Sequence, residues 1–277
     1  MTSKTKLVDA VYGAAVGDAF GVPYEFCGRE SFSVTRKMKG GGVHGQPAGT
    51  FSDDTSMMLA CCDSIKQNAG KIDTDDIRKR FVMWARCGEY AVDGNVFDIG
   101  LTVSSALSRG CGMDGERDNG NGSLMRIIPL AFAGAGDEEI AAVSAITHAH
   151  RISIEACQCY VHIARMLANA VPKEDAIAQC TPSSAEFSRI PTIATLDRDE
   201  ISSGGYVVHT LEAALWCLLT TDNFEKCIME AADLGGDTDT TACVAGGLAG
   251  ILYGKDTIPV QWMETLRGKD IIESCLF

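Results

Sequence analysis

The sequence predicts an all-α fold, and three observations support this. Apolar residues recur at helical spacing along nearly the whole chain, strand-like alternation is hard to find, and acidic residues and glycines stand where helices should begin and end. About a dozen helices are expected from this spacing. The glycine-rich connections between them contain no proline- and serine-rich linker, so we expect a single domain over residues 1–277.

The first half of the chain contains three helical patterns. Leu7 and Val11 begin an apolar face that predicts the first helix. A second pattern starts near Met57. The third opens with the carboxylates of residues 73–76 and stops at Gly88, because acids favour the first turn of a helix and glycine favours its end.

In the second half, the acidic residues at 137–139 open another helix. Longer apolar patterns predict helices over 152–170, 206–219, 224–232 and 241–253. Residues 181–203 are the least periodic segment. We interpret them as a connection in preference to a lid.

The formal net charge of -13 excludes the common ways of binding anionic polymers. Nucleic acids and anionic membranes are bound through lysines and arginines that neutralise phosphates, so we expect neither partner. Every apolar run is too short for a membrane helix, which needs roughly 18 residues. The run from Leu7 to Phe20 is broken by Asp9 and Asp18, which argues against a cleaved signal.

Most of the twelve cysteines lie inside helical apolar patterns, as Cys61, Cys217 and Cys243 do. Such cysteines are typical of buried small hydrophobic residues and not of a disulfide framework or a zinc module. The expected compartment is therefore a reducing cytoplasm. The expected assembly is a monomer.

Two short motifs carry clustered oxygen ligands. Ser52-Asp53-Asp54-Thr55 follows a glycine-containing loop and precedes a helix, and Gly235-Gly236-Asp237-Thr238-Asp239-Thr240 has the same arrangement. Each motif alone could be a helix cap. Capping needs one acid per helix, however, and each motif supplies two, which favours bound hard cations such as magnesium or manganese. Two ions bridged by these aspartates could orient a substrate and polarise a water.

Five motifs in order, from about residue 7 to residue 254, resemble the ADP-ribosylglycohydrolase family, including its dinitrogenase-reductase-activating type. They are Gly17-Asp18-Ala19-Phe20-Gly21 with Glu25, Ser52-Asp53-Asp54-Thr55, Asn121-Gly122-Ser123-Leu124-Met125-Arg126, Thr147-His148, and Gly235-Gly236-Asp237-Thr238-Asp239-Thr240. The resemblance implies a compact orthogonal multi-helix bundle with two Mg²⁺ or Mn²⁺ ions in a cleft. The metal ligands that it implies are Ser52, Asp53, Asp54, Asp237, Asp239 and Thr240. Many members have threonine where this chain has Ser52, and the hydroxyl is retained.

The resemblance also implies roles around the cleft. Glu25 and Asp98 are the implied catalytic carboxylates, although each could be an ordinary surface or helix-start acid. The implied ADP-ribose-binding residues are Asn121, Gly122, Ser123, Met125, His148 and Tyr206. Residues 120–123, ahead of an expected helix, would offer backbone N–H groups to the pyrophosphate. Met125 and Tyr206 could instead fill the core.

The implied activity is hydrolysis of the N-glycosidic bond of an ADP-ribosylated protein. ADP-ribosyl-arginine is the substrate that the resemblance favours. Three alternatives remain open from the sequence. They are a hydrolase of serine-linked or small-molecule ADP-ribose conjugates, a metal-dependent phosphohydrolase, and a non-catalytic relative of the crystallin type. Which carboxylate handles the proton, Glu25 or Asp98, also stays open.

Overall fold

A computed structural model describes residues 3–180, 182 and 184–277. The all-α prediction is confirmed: the described residues form twelve α-helices, and extended pairing among them is limited to three isolated bridges. The helices are α1 (Ser3–Gly21), α2 (Asp53–Gln67), α3 (Thr74–Cys87), α4 (Leu101–Arg109), α5 (Asp137–Ser144), α6 (Arg151–Ala168), α7 (Lys173–Gln179), α8 (Val207–Thr220), α9 (Phe224–Asp233), α10 (Thr238–Tyr253), α11 (Val260–Thr265) and α12 (Lys269–Cys275).

The helix signals in the sequence act as expected in α3. The Asp73 side chain accepts hydrogen bonds from the N–H groups of Asp75 and Asp76, each at 3.0 Å. Gly88 ends the helix in the left-handed conformation, with φ of 73°. A residue with a Cβ would adopt this conformation at a cost, so the glycine fixes the end of α3.

Two helices begin earlier than their apolar patterns indicate. The second helix starts at Asp53, ahead of the expected start near Met57, and α10 starts at Thr238, ahead of residue 241. Asp53, Asp54 and Asp239 therefore lie in the first turn of a helix, and Asp237 is the N-cap residue of α10. There the positive end of the helix dipole offsets part of their charge.

The central feature of the fold is the close packing of α1 against α10. Three glycines of α1 face α10 at positions where no side chain would fit. A Cβ at Gly13 would lie 2.2 Å from the carbonyl oxygen of Gly246, and one at Gly17 would lie 2.0 Å from that of Ala242. A Cβ at Gly21 would lie 2.5 Å from the Cα of Asp239. The backbones of the two helices thus touch directly.

The remaining helices surround this pair. Helices α8 and α9 pack on α10, while α2 packs on α1, α3 and α12. Buried apolar side chains form one continuous cluster that extends from Leu7 to Cys275. The N-terminal ends of α2 and α10 face one cleft at the edge of this core.

The aperiodic segment 181–203 contains three short 3-10 turns, at Ala185–Phe187, Ile190–Thr195 and Arg198–Glu200. Thr181 and Ser183 lie outside the described residues. The side chains of Phe187 and Ile193 are fully buried, and the turn at Ile190–Thr195 packs on α8. The segment is therefore a packed connection, which agrees with the interpretation from the sequence.

The twelve cysteines are all free, and eight of them are buried, including Cys61, Cys217 and Cys243. Their interpretation as small hydrophobic residues is thus confirmed. No helix within the described ranges is long and apolar enough to cross a membrane.

The packing of α1 on α10 predicts that Gly17→Ala destabilises the protein. The added methyl group meets the backbone of Ala242 and forces the helices apart, at a cost of roughly 1–3 kcal/mol in the free energy of unfolding. Urea denaturation measures this change. Gly28→Ala is the matched control, because only one atom, at 3.9 Å, lies near its added Cβ. A Gly17→Ala protein as stable as the control would contradict this account.

Candidate active-site cleft

Asp18 fixes the start of α2. Its buried carboxylate accepts hydrogen bonds from the backbone N–H of Ser52 at 2.9 Å and from the N–H of Thr55 at 3.0 Å. The Thr55 hydroxyl also donates to it, at 2.5 Å. Burial raises the pKa of Asp18 to about 6, although these donors favour its ionised form. The motif at residues 17–21 therefore positions the first acidic motif.

The second acidic motif is positioned by two glycines in the left-handed conformation, Gly235 and Gly236, with φ of 72° and 75°. Gly236 exchanges backbone hydrogen bonds with the loop after α1: its carbonyl accepts from Phe26 N–H at 2.7 Å, and its N–H donates to the Cys27 carbonyl at 2.9 Å. The N–H of Asp237 donates to the Ser203 carbonyl at 2.8 Å. These bonds hold the start of α10 beside Glu25.

The two acidic motifs meet at the bottom of the cleft. The hydroxyl of Thr240 donates to Asp54 Oδ1 at 3.3 Å, which joins α10 to α2. Carboxylate oxygens of Glu25, Asp237 and Asp239 lie within 4.8 Å of one another. The structure thus brings together acids that are more than 180 residues apart in the sequence.

Several of these acidic oxygens lack a protein partner among the described residues. They are Asp54 Oδ2, Asp237 Oδ1 and Asp239 Oδ2, all shielded from solvent. Burial, together with the negative charges of neighbouring carboxylates, raises the pKa values of Asp53, Asp54 and Asp239 well above their usual range. Unsatisfied buried carboxylates are costly unless a cation lies between them. The all-oxygen donor set therefore fits a hard divalent cation such as Mg²⁺ or Mn²⁺.

A second group of acids lies on the outer side of Glu25. His44 Nε2 is 2.6 Å from Glu25 Oε2 and 3.9 Å from Asp98 Oδ1. Burial, and next the negative charge of Asp98, raises the pKa of Glu25 to about 9. Burial also raises the pKa of Asp98, while the charge of His44 lowers it. Glu25 is therefore the carboxyl of this pair that can hold a proton near neutral pH.

The position of His44 beside Glu25 was not predicted from the sequence. Its loop reaches Glu25 because Gly42, with φ of 67°, packs so closely on Pro23 that a Cβ would lie 2.7 Å from the Pro23 carbonyl oxygen. The only sequence signal was a single histidine inside the glycine-rich stretch 40–49. Such a signal does not identify a partner that is 19 residues away.

Neutral polar groups line the other side of the cleft. The Asn121 amide donates to Thr210 Oγ1 and to Asp237 Oδ2, both at 2.9 Å. His148 lies against Gly122, where a Cβ would be 2.8 Å from His148 Cε1. Burial, followed by the charge of Arg126, lowers the pKa of His148 to about 3. His148 is therefore uncharged at neutral pH.

The sequence predicted a helix directly after Ser123, and this prediction is wrong. Residues 121–126 form turns, in which Asn121 O accepts from the N–H groups of Leu124 and Met125, and the next regular element is a 3-10 turn at Ile128–Ala131. A fully buried arginine competes with helix formation here. The Arg126 guanidinium donates to the Gly122 carbonyl and, at 3.2 Å, to the Val143 carbonyl.

A cavity of about 270 Å³ opens above the carboxylates. Most of the site residues predicted from the sequence line it: Glu25, Asp53, Asp54, Asp98, Asn121, Gly122, Met125, His148, Asp237 and Thr240. Four predicted residues do not, and they are Ser52, Ser123, Tyr206 and Asp239.

These four residues lie behind or beside the cavity. The Ser52 hydroxyl accepts from the Asp54 N–H at 3.3 Å, and Asp239 is fully buried in the first turn of α10. The Ser123 hydroxyl is turned towards the core, where it accepts from Ser144 Oγ at 3.0 Å. Tyr206 caps α8, and its ring makes an edge contact with His209 at 5.0 Å.

The all-α bundle and its cleft of buried carboxylates form a candidate enzyme site, and comparison with known proteins assigns the family. The chain matches the model of the ADP-ribosylglycohydrolase family over residues 1–276, and it belongs to that family. The family prediction made from the five motifs is confirmed, and so is the prediction of a glycohydrolase.

The chain is also similar to individual members of the family, including proteins with a named activity and a solved structure. The chain is 37% identical to the ADP-ribosylarginine hydrolase Tri1 of Pseudomonas putida (strain GB-1), over 95% of this chain and 75% of that protein. It is 31% identical to the ADP-ribosyl-[dinitrogen reductase] glycohydrolase of Rhodospirillum rubrum, over 95% and 91% of the two chains. A solved ADP-ribosylglycohydrolase-related protein complex contains a chain with a TM-score of 0.83 and 30% identity, over 99% of this chain and 96% of that one.

The raised pKa values predict how the metal-free protein responds to pH. A carboxyl whose pKa rises on folding contributes stability below its unfolded pKa, and that contribution is lost as the pH rises through its folded pKa. The free energy of unfolding in EDTA should therefore fall between pH 5 and pH 8. Asp54→Asn should stabilise the metal-free protein at pH 8 by on the order of 1–3 kcal/mol, because it removes an unsatisfied buried charge.

Urea denaturation in EDTA at pH 5 and pH 8 tests both expectations. Asp175→Asn is the matched control, because Asp175 also lies in the first turn of a helix but is exposed. Added Mg²⁺ or Mn²⁺ should stabilise the wild type and the control more than Asp54→Asn. Lower stability of metal-free Asp54→Asn at pH 8 would show that the carboxylates do not repel one another.

Proposed function

We propose that this chain hydrolyses the N-glycosidic bond between ADP-ribose and an arginine side chain of a modified protein, and that two Mg²⁺ or Mn²⁺ ions support the reaction. The observation that carries the proposal is the meeting of α2 and α10, where buried carboxylate oxygens without protein partners lie beneath a cavity. The similarity to the ADP-ribosylarginine hydrolase Tri1 of Pseudomonas putida supports arginine as the linked residue.

The proposed metal ligands come from both acidic motifs. They are Ser52, Asp53, Asp54, Asp237, Asp239 and Thr240. The orphaned oxygens of Asp54, Asp237 and Asp239 support this set, since each of them needs a positive partner. Thr240 already contacts Asp54, which places ligands of the two motifs in one group. We propose two ions and not one, because each motif contributes two carboxylates and the four together can coordinate two cations.

When bound, the metal pair would hold ribose hydroxyls and lower the pKa of a water molecule. The chain's own residues then supply positioning and proton transfer. Glycosidic cleavage builds positive charge on the sugar, which the surrounding carboxylates stabilise. Burial raises the pKa of Glu25 to about 9, so in its protonated form Glu25 can give a proton to the leaving group, and in its ionised form it can receive one from the attacking water.

Asp98 lies where it can bind the linking arginine. It lines the outer part of the cavity, 3.9 Å from His44 and close to Glu25. The guanidinium group of ADP-ribosyl-arginine is cationic, so a carboxylate at this position attracts and orients it. We propose Glu25 and Asp98 as the catalytic carboxylates, with His44 as the residue that positions both of them.

The neutral side of the cleft is the proposed ADP-ribose subsite. Asn121, Gly122, Met125 and His148 line it, and the backbone of Ser123 follows directly. His148 packs directly on the backbone of Gly122, and the backbone dipoles of this loop can bind phosphates without lysines. Tyr206 lies next to this loop through the backbone pairing of Gly120 with Tyr206, and we propose it for the adenosine side. The reducing cytoplasm is the compartment we propose, because the cysteines are free.

The first test is release of free ADP-ribose from an arginine-ADP-ribosylated peptide with Mg²⁺, with Mn²⁺ and with EDTA. We expect release only with metal. Asp239→Asn should lower kcat/KM by at least about 100-fold, since losing a ligand exceeds the 10- to 100-fold effect of losing a residue behind a ligand. Circular dichroism should show unchanged helical content. Asp175→Asn is the exposed control.

Equal rates with metal and with chelator would overturn the dinuclear proposal. Release of phosphate in place of ADP-ribose would identify a phosphohydrolase. A serine-linked peptide and free ADP-ribosyl-arginine, assayed in parallel, distinguish the possible linkages. Binding of ADP-ribose without turnover of any substrate would identify a non-catalytic relative.

The proposed role of Asp98 predicts a dependence on linkage. Asp98→Asn should slow release from the arginine-linked peptide by about 10- to 100-fold, because hydrogen bonds between charged groups contribute about 1.5–3 kcal/mol. The rate of ADP-ribose release from a serine-linked peptide should fall much less, because the serine linkage has a neutral oxygen in place of the cationic guanidinium that Asp98 would bind. Steady-state kinetics on both peptides measure the difference. An unchanged rate on the arginine-linked peptide would remove Asp98 from the mechanism.

A further inference from the structure

Large apolar side chains are exposed at few places in the part of the chain that the structure describes. They are Phe26 (65% exposed), Val43 (65%), Met83 (44%), Ile99 (38%), Leu101 (87%) and Val260 (72%). Phe26, Val43 and Ile99 directly follow or precede Glu25, His44 and Asp98 in the chain, and Leu101 begins α4 just after Ile99. We call these four residues the apolar rim.

Two of the rim residues line the cavity, and contacts of their neighbours bring the other two close to it. Phe26 and Leu101 line the cavity itself. The Phe26 ring lies 6.1 Å from the ring of His44, the neighbour of Val43. His44 in turn lies 3.9 Å from Asp98, the neighbour of Ile99. The connection from α1 to α2 and the connection from α3 to α4 therefore present apolar side chains next to one cavity.

The backbone at the rim is held in unfavourable conformations. Phe26 has φ of 60° and Asp98 has φ of 55°, in the left-handed region that residues with a Cβ rarely adopt. The Phe26 conformation is fixed by its N–H, which donates to Gly236 O at 2.7 Å. Strain of this kind persists where surrounding contacts enforce it, and it concentrates at binding and catalytic sites. Here the strain presents an aromatic ring to solvent.

We propose that the apolar rim is a docking surface for the polypeptide on either side of the modified arginine, and that it prefers apolar flanking residues. This inference rests on the proposed function. Because Phe26 and Leu101 line the cavity itself, a polypeptide whose modified side chain enters the cleft lies beside them. Exposed apolar side chains grouped at a site entrance are typical of surfaces that bind proteins, where aromatic and aliphatic anchors supply most of the affinity.

A small conjugate such as free ADP-ribosyl-arginine has no flanking residues and so makes no use of the rim beyond the cavity mouth. A peptide that extends in both directions can cover Phe26 and Leu101 together. The inference therefore concerns the class of substrate: a polypeptide with leucine or phenylalanine beside the arginine is preferred over one with polar neighbours.

The test uses three substrates. Two are peptides of equal length with one ADP-ribosylated arginine, flanked either by leucine and phenylalanine or by serine and glycine, and the third is free ADP-ribosyl-arginine. For the wild type we expect kcat/KM to be about tenfold higher on the apolar peptide, mainly through a lower KM, as for the loss of a moderate binding anchor. Phe26→Asn, which tolerates the left-handed conformation, and Leu101→Ser should each reduce this preference, and the double variant should abolish it.

Val260→Ser and Met83→Ser are matched controls, since both residues are exposed and apolar but lie outside the rim and the cavity lining. They should keep the full preference. Equal rates of the wild type on the two peptides, or an undiminished preference in the double variant, would overturn the inference while leaving the proposed function in place. Failure to release ADP-ribose from all three substrates would overturn the proposed function and, with it, the inference.

Discussion

The direct contact of the α1 and α10 backbones is the constraint on which the rest of the structure depends. Because Gly13 and Gly17 carry no side chain, α10 lies against α1 along most of its length. Asp18, one residue beyond Gly17, then reaches the first turn of α2, while Gly21 lies against Asp239. A single close helix pair therefore fixes where both acidic motifs meet.

This arrangement has an electrostatic cost. The carboxylates of the two acidic motifs are buried close together. Burial, and next the charge of the neighbouring carboxylates, raises the pKa of each of them. The N-terminal dipoles of α2 and α10 offset part of the repulsion, but a helix end carries only about half an elementary charge. Within the described parts of the chain, the oxygens of Asp54, Asp237 and Asp239 that lack partners leave this group incompletely satisfied. Folding has thus produced a site whose stability should be linked to a divalent cation.

Much of this was predictable from local patterns. Helix positions follow from apolar spacing and from end signals such as Asp73 and Gly88, since these act through neighbouring residues. The acidic motifs were recognisable because their residue types are unusual together. His44 was not recognisable, because its role arises from a loop packed on Pro23. The turns after Ser123 were also missed, because a buried Arg126 overrides the local preference for a helix.

The cleft of this acidic chain is lined by neutral groups as well as by carboxylates. Asn121, Gly122 and His148 supply the neutral groups, and the Asn121 amide is bonded to Asp237 of the acidic group. A charged His148 beside the buried Arg126 would add repulsion, and its lowered pKa avoids that repulsion. On the proposed function, phosphates would meet backbone and amide dipoles, the ribose would meet the metal side, and the cationic arginine would meet Asp98. Each part of the substrate would then face the partner of suitable charge, without any need for a basic surface.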